Sequence, residues 1–172
     1  MRAEQQSGGI AWRRIEDFYT ATYPRLVGTL TLTTGSRPDA EELVQEAFAR
    51  LLPHWEKVRL YEDPEGWVRS VAMRQATSRW RRARVASAGL LQLGRRLADA
   101  AANSSSVDVA DLLSGLPMNL RQVLVLHYGV GLSVAEVSRA LGIAEGTVKS
   151  RLSRARDAAR QGARLGEEDL HA

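Results

Sequence analysis

The stretch LSVAEVSRALGIAEGTVKSRLSRARDAAR, residues 132–160, decides the fold of this chain. Ser133 and Glu136 have the spacing of a capping box, which satisfies the first free backbone N–H groups of a helix. Gly142 lies where the chain must turn out of that helix, and glycine adopts a positive φ at least cost. A second helix begins at Glu145. We therefore predict two short helices joined by a tight turn, a pattern typical of proteins that place the second helix in a DNA groove.

The predicted second helix has two different faces. Its buried stripe repeats at intervals of four, three and four residues: Val148, Leu152, Ala155 and Ala159. The residues of the opposite face have short or flexible side chains: Gly146, Lys149, Ser150 and Ser153. Four arginines flank this face: Arg151, Arg154, Arg156 and Arg160. Such arginines suit phosphates on the groove walls, while small side chains let the backbone approach base edges. The alternative is a solvated basic helix in a small bundle.

Composition narrows the class of protein. The 172 residues are 44% hydrophobic, enough to form a core, and carry a formal net charge of +4. Arginine supplies almost all the positive charge, since Lys57 and Lys149 are the only lysines; a GC-rich genome would produce the same bias. A polyanionic partner is expected. Because there is no cysteine, disulfides, thiolate catalysis and cysteine-ligated zinc are excluded.

Other classes of site are not expected. His54, His127 and His171 are far apart and none has a second metal ligand at helical spacing, so we expect no metal and no cofactor. No apolar run approaches the roughly 20 residues needed to span a bilayer. The first nine residues, MRAEQQSGG, lack the apolar core of a signal peptide, so we expect a cytoplasmic protein without membrane insertion.

Helical periodicity dominates, and it predicts an all-α fold of two small domains joined by a flexible linker. We expect residues 1–9 to be disordered and residues 10–84 to form the first domain. A linker at 85–107, which contains a short helix over 90–101, leads to a second domain at 108–165 and an acidic tail at 166–172. In the first domain we expect helices from Ile10 to about Thr34, interrupted near Pro24, from Asp39 to about Leu52, and from about Glu65 to Arg84. A loop bracketed by Pro53 and Asp63-Pro64 separates the last two. In the second domain Pro117 opens a helix ahead of the helix-turn-helix.

Charges are segregated in the first domain. The outer face of the second helix is acidic, whereas the third helix carries no acid after Glu65 and is rich in arginine. An acidic face repels DNA, so we expect it to meet a basic protein surface, and the arginine helix suits phosphates; both faces could equally be solvated. Of the nearby aromatics, Trp67 and Trp80 have core spacing, and Tyr61 is the better candidate for a surface ring that stacks on a base.

Three segments occur in a characteristic order: DAEELVQEAFARLL at 39–52, PEGWVRSVAMRQATSRWRR at 64–82 and GLSVAEVSRALGIAEGTVKSRLSRAR at 131–156. Together they resemble the extracytoplasmic-function sigma factors, small promoter-specificity subunits of bacterial RNA polymerase. The likeness covers roughly residues 15–160. It implies a non-enzymatic protein whose partners are promoter DNA, the β′ coiled coil and β flap of core polymerase, and in some cases an anti-sigma factor.

The resemblance assigns three contact surfaces. Core-polymerase contacts map to Asp39, Glu42, Gln45 and Glu46. The third helix and the loop before it would bind and melt the minus-10 element and hold a flipped base, through Tyr61, Glu62, Asp63, Arg69, Arg74, Gln75, Ser78, Arg81 and Arg82. The last helix would read the minus-35 element through Gly146, Thr147, Lys149, Ser150, Arg151, Ser153, Arg154 and Arg156. Extruding a base costs a few kcal/mol, which contacts in a pocket must offset.

The chain departs from the usual family pattern in places. The third helix of the family usually has Arg-Asn and then Asp, but this chain has Arg74-Gln75 and then Ser78. Ahead of the helix-turn-helix, a usual Arg-Tyr pair is replaced by His127-Tyr128-Gly129. Two other hypotheses remain at this point. One is a stand-alone dimeric regulator that binds duplex DNA, and the other is an adaptor or anti-sigma antagonist that mimics a sigma factor without using DNA.

Overall fold

A computed structural model describes residues 12–87 and 113–169, apart from the side chains of residues 87, 159 and 162–169. Within these ranges every regular element is a helix. The elements are α1 (Ile15–Thr34), α2 (Arg37–Leu51), a 3-10 turn (Leu52–His54), α3 (Trp55–Val58), α4 (Pro64–Ser87), α5 (Met118–Leu124), a π-helical turn (Val125–Gly129), α6 (Val134–Leu141) and α7 (Glu145–Asp169). The all-α expectation is confirmed. The predicted helix at 90–101 and the ends of the chain lie outside the described residues.

Helix α1 runs without a break through Pro24, so the predicted interruption is wrong. Phe18 and Thr22 before the proline are buried on the same side as Leu26 and Val27 after it, while Pro24 itself is exposed. A proline inside a helix costs about 3 kcal/mol through its missing N–H and its ring. Packing of one continuous face offsets that cost.

Helix α2 has the apolar face that its periodicity predicts. Its buried residues are Ala40, Leu43, Val44, Ala47, Phe48 and Leu51. The Ser36 hydroxyl accepts a hydrogen bond from the Asp39 backbone N–H at 3.3 Å and caps the helix. Gly35, with φ of 77°, ends α1 immediately before this cap. The two helices therefore form a tight antiparallel pair around the core.

The first part of the segment between α2 and α4, residues 52–58, is helical where we expected a loop, and residues 59–63 are not helical. Trp55 and Val58 are buried, and their spacing of three residues places both on one side of the short α3. The Phe18 and Trp55 ring centroids lie 5.3 Å apart in the core. Helix α4 then begins at Pro64, as predicted, and continues to Ser87.

The C-terminal half contains the predicted helix-turn-helix. Helix α5 starts after Pro117, and α6 and α7 follow with their buried residues at Val137, Ala140, Val148, Leu152 and Ala155. The capping box at Ser133 and Glu136 is present, and Gly142 has φ of 67°. These features confirm the pattern from which the fold was predicted.

The two halves of the described chain pack against each other. Buried side chains from α1, α2 and α4 form one hydrophobic cluster with Val123, Leu126, Val137 and Ala140 of the C-terminal half. Helix α4 contacts both α5 and α6, and α1 contacts α5 and the π-helical turn. The part of the chain that the structure describes therefore has a shared core.

Candidate nucleic-acid interface

Helix α7 exposes the face that was predicted to read DNA. Gly146, Lys149, Ser153, Arg154 and Arg156 are exposed, while Thr147, Ser150 and Arg151 are partly buried. Burial lowers the pKa of Arg151, and the nearby Arg154 guanidinium lowers it further. The underside of the helix is anchored by the buried stripe that begins at Val148. The structure therefore brings all eight predicted minus-35 residues to the first three turns of one helix.

Hydrogen bonds cap the start of α6 and close the turn between α6 and α7. The Glu136 carboxylate accepts a bond from the Ser133 backbone N–H at 2.7 Å, and the Ser133 hydroxyl accepts one from the Glu136 N–H at 3.2 Å. These bonds with Ser133 hold the pKa of Glu136 below its ordinary value. At the turn, the Ser138 hydroxyl donates to the Ile143 carbonyl at 2.5 Å. A rigid frame of this kind presents the second helix in one orientation.

The loop ahead of α4 is held by Asp63. Its carboxylate accepts a bond from the Gly66 N–H at 2.8 Å and one from the Arg69 guanidinium at 3.2 Å. A Cβ at position 66 would lie 2.1 Å from an Asp63 carboxylate oxygen, so only glycine permits this close approach. Tyr61 is 41% exposed beside this cap, as expected of a surface ring. Asp63 therefore acts here as a helix cap of α4.

The predicted minus-10 residues of α4 fall into two groups. Ser78, Arg81 and Arg82 are exposed, whereas Arg69 and Gln75 are 7% and 9% exposed. In this conformation Arg69 and Gln75 are therefore not at the surface, contrary to the expectation that they face DNA. Their positions follow from packing, because α4 is covered on one side by α2 and on another by the C-terminal half.

Arg74 is engaged by the helix-turn-helix. Its Nη2 donates to the Arg139 carbonyl at 2.7 Å and its Nε to the Ala140 carbonyl at 3.1 Å. Both acceptors lie in the last turn of α6, where helix carbonyls lack partners within the helix and carry partial negative charge. A guanidinium at this position caps the helix favourably. Sequence reasoning missed this contact, since nothing local links residues so far apart.

Trp67 and Trp80 pack against the core as partly buried side chains, as their spacing predicted. The guanidinium of Arg84 lies over the Trp80 ring, 4.9 Å from its centroid. Neither indole is presented as a free surface for stacking on a base. Tyr61 is thus the aromatic residue of this region that is placed for such a contact.

The acidic face of α2 is partly neutralised by α4. Arg79 donates to the Glu42 carboxylate at 3.0 Å and to the Glu46 carboxylate at 2.8 Å, and Arg50 donates to Glu46 at 2.9 Å. The bond from Arg50, followed by the bond from Arg79, holds the pKa of Glu46 below its ordinary value. Asp39 and Gln45 are exposed. The predicted acidic and basic surfaces therefore meet along the α2–α4 groove, which the separate charge patterns did not reveal.

An apolar groove adjoins the acidic surface on the side of α1. It is lined by Ile15, Tyr19, Phe48, Ala49 and Leu52, with Glu16 and Gln45 at its rim. Burial raises the pKa of Tyr19, and the neighbouring Tyr23 raises it further. Gln45 thus lies between an apolar and an acidic surface. Tyr19 is 36% exposed at this groove.

Comparison with known proteins gives a consistent result. Residues 18–85 match the profile of Sigma-70 region 2, and residues 106–158 match that of Sigma-70 region 4. The RNA polymerase sigma-E factor of Streptomyces coelicolor is 32% identical over 119 residues, which span 68% of this chain and 67% of that protein. The ECF RNA polymerase sigma factor SigL of Mycobacterium tuberculosis is 33% identical over 130 residues, spanning 69% and 71% of the two chains.

The fold comparison agrees. The sigma factor RpoE of Bartonella quintana, whose crystal structure holds it in complex with the anti-sigma factor NepR, superposes with a TM-score of 0.63 at 20% identity, covering 86% of this chain and 94% of that one. The two family regions lie in the expected order, each on its own half of the fold. This chain belongs to the ECF sigma factors of RNA polymerase. Members of this family are regulatory proteins of transcription initiation.

Between residues 12 and 87 and between 113 and 169, no helix is long and apolar enough to cross a membrane. The same ranges hold no group of three or more histidine, cysteine, aspartate or glutamate residues that could bind a metal ion.

Proposed function

We propose that this sigma factor uses three separate surfaces to direct RNA polymerase to a promoter and open it. Helix α7 reads the minus-35 element, the exposed end of α4 with the preceding loop engages the minus-10 element, and α2 binds the β′ coiled coil of core polymerase. The observation that carries the proposal is the exposed face of α7, which carries basic and short side chains and is anchored from below by the buried stripe that begins at Val148.

The minus-35 surface fits a major groove. Gly146 and Ser153 leave room for close approach of the helix to base edges, and Thr147 and Ser150 add short hydroxyls between them. Lys149 and Arg154 are exposed and suited to phosphates on either groove wall. Phosphate contacts of this kind set position and affinity, and the short side chains at the centre select bases. The stand-alone regulator would use the same surface, so α7 alone does not separate the two functions.

The minus-10 surface is smaller than the sequence suggested. Ser78, Arg81 and Arg82 are exposed along one part of α4, and Tyr61 and Glu62 are exposed on the loop. Exposed arginines on α4 suit the backbone of a single strand, and an exposed aromatic ring on the preceding loop suits a base that stacks on it. Arg74 would join these arginines once it is released from α6. Arg69 and Gln75 support the surface from within, and the exposed Asp63 caps α4 at its start.

The polymerase surface combines charge with apolar area. Asp39, Glu42 and Glu46 supply negative charge, and Gln45 adjoins the groove beneath Phe48 and Leu52. A basic helical partner with apolar side chains would match both parts. The β flap of polymerase and an anti-sigma factor remain proposed partners, and the latter proposal is supported by the complex in which the related RpoE was solved.

Charge reversal separates the sigma-factor function from a stand-alone DNA-binding function. In Asp39→Lys with Glu42→Lys, we expect affinity for core polymerase to fall at least tenfold, since like charges would face a basic partner. Binding of the free chain to duplex DNA should not weaken. Glu56→Lys is the matched control, because Glu56 is exposed on α3 outside the proposed surface. Unchanged polymerase affinity in the double variant would remove the proposed role of α2.

A further inference from the structure

We propose that a cavity between α2 and α4 binds an adenine nucleotide, with its phosphates on arginine side chains and its base on the amide of Gln75. The cavity has a volume of about 310 Å³ and is lined by residues of these two helices. That volume falls at the lower end of the range for small-molecule sites. Such binding requires neither polymerase nor a promoter, so the inference goes beyond the proposed function.

The cavity has an excess of positive charge. Four of its lining residues are arginines: Arg50, Arg74, Arg79 and Arg82. Glu46 is the carboxylate among the lining residues, and Glu42 beside them accepts a bond from Arg79 at 3.0 Å. Two positive charges remain when both carboxylates are subtracted from the four arginines. Because a recess with charge of one sign concentrates ions of the opposite sign, we infer that the ligand is an anion.

The arginines are suited to phosphate groups and are already held in place. A planar guanidinium matches the oxygens of a phosphate through two parallel hydrogen bonds. Arg50 and Arg79 are oriented by Glu46, at 2.9 and 2.8 Å, and Arg74 by the Ala140 carbonyl at 3.1 Å. Side chains that are ordered before the ligand arrives lose less entropy when it binds. Several guanidinium groups around one cavity suit a diphosphate better than a single phosphate.

The buried amide of Gln75 lacks hydrogen bonds. Gln75 lines the cavity and is 9% exposed, and within the described ranges neither its Nε2 nor its Oε1 has a partner. By contrast, the buried Gln122 donates from its Nε2 to the Met73 carbonyl and the Thr77 hydroxyl. An unpaired buried amide is unfavourable. A ligand toward which Gln75 can turn its amide, and which offers both a donor and an acceptor, removes that penalty.

The two unpaired atoms of Gln75 select the base. The amide of a glutamine forms two bonds with adenine, donating to N7 and accepting from the N6 amino group. Guanine carries two acceptors, N7 and O6, at the same edge and would leave the Gln75 Oε1 unpaired. Phosphate oxygens are also acceptors alone. An adenine nucleotide therefore satisfies the arginines and the amide together, whereas inorganic phosphates satisfy the arginines alone.

A single nucleotide fits this position better than a continuous DNA strand. Asp39 and Glu42 are exposed on α2, the helix that forms one wall of the cavity. A strand that entered the cavity would continue past these carboxylates, which repel its phosphates. A nucleotide ends within the cavity and avoids them.

Calorimetric titration of the free chain with ADP, at about 0.15 M salt to screen weak surface attraction, tests the site. We expect a dissociation constant below about 1 mM for ADP, with adenosine, inorganic pyrophosphate and GDP each binding at least about fivefold more weakly. No binding of ADP at millimolar concentration would overturn the site. Pyrophosphate or GDP binding as tightly as ADP would overturn the recognition of adenine by Gln75.

Two arginines of α2 provide a matched pair of variants. Arg50 and Arg37 are both exposed, and each donates to a glutamate four residues away at 2.9 Å, but Arg50 alone lines the cavity. We expect Arg50→Ala to weaken ADP binding about tenfold and Arg37→Ala to leave it unchanged. Equal losses in the two variants would show that ADP is attracted by surface charge only and would overturn the cavity site.

Gln75→Met separates recognition of the base from recognition of the phosphates. Methionine is flexible, apolar and similar in length, so the variant removes the unpaired amide without opening a large cavity in the core. We expect ADP binding to weaken about tenfold, pyrophosphate binding to stay the same, and the midpoint of urea unfolding to stay the same or rise. Circular dichroism checks that the variant folds. Unchanged ADP affinity in the folded variant would refute the contact between Gln75 and the base.

Discussion

Leu126→Ala tests whether the two halves share one core. Leu126 lies in the π-helical turn of the C-terminal half, is fully buried and belongs to the cluster that includes side chains of α1 and α4. Replacing a buried leucine by alanine costs about 2–5 kcal/mol through lost transfer energy and the cavity left behind. The free energy of unfolding falls by about 2–3 kcal/mol per molar urea, so a loss of about 3 kcal/mol in that free energy lowers the urea concentration at the unfolding midpoint by about 1 M or more.

The positions of the tryptophans make the assay decisive. All four, Trp12, Trp55, Trp67 and Trp80, lie in the N-terminal half, so tryptophan fluorescence reports unfolding of that half alone. We expect the fluorescence midpoint to shift in step with the midpoint measured by circular dichroism. In Leu60→Ala, where the leucine is 74% exposed, both midpoints should stay nearly unchanged. A fluorescence midpoint that is unaffected by Leu126→Ala would refute the shared core.

Three further predictions concern single features of the site. Ser133→Ala should lower the free energy of unfolding by about 1 kcal/mol, measured by urea titration, because the capping hydroxyl of α6 is lost. Hydrogen bonds from Arg50 and then Arg79 hold the pKa of Glu46 in the folded chain below its ordinary value of 4.5. Ionised Glu46 therefore stabilises the fold above pH 4.5, and this stabilisation is lost as the pH falls through the lower pKa of the folded chain. Glu46→Gln should therefore flatten the acid limb of a stability-against-pH curve, and an unchanged limb would contradict this. Lys149→Ala and Arg154→Ala should each weaken minus-35 duplex binding and reduce the slope of log affinity against log salt by about 0.9, measured by fluorescence anisotropy; an unchanged slope would mean that neither side chain contacts a phosphate.

Local patterns predicted the helices and their caps well. The buried face of α2 from Ala40 to Leu51 follows directly from helical periodicity, and the capping box at Ser133 and the turn at Gly142 follow from backbone requirements of a few neighbouring residues. The face of α7 that we propose reads the minus-35 element could be recognised from the sequence for the same reason. Its buried and exposed positions are set within a single helix.

Features that depend on distant residues were missed. Pro24 predicts a break, but burial of residues on both sides of it keeps α1 continuous. The spacing of Trp55 and Val58 fits the short α3, yet the position of this helix depends on contact with Phe18. The bonds of Arg79 to α2 and of Arg74 to α6 join residues more than 30 positions apart. Charge composition showed that arginines are abundant but not which of them are already paired within the fold.

Run-off transcription with core RNA polymerase tests the central claim most directly. Genomic fragments of the source organism serve as templates, and the wild-type chain is compared with the Asp39→Lys, Glu42→Lys double variant and with Lys149→Ala. We expect promoter-dependent transcripts with the wild-type chain, loss of those transcripts with the double variant, and reduced transcription at high salt with Lys149→Ala. Absence of any stimulated transcript from a chain that is folded and binds core polymerase would contradict the account.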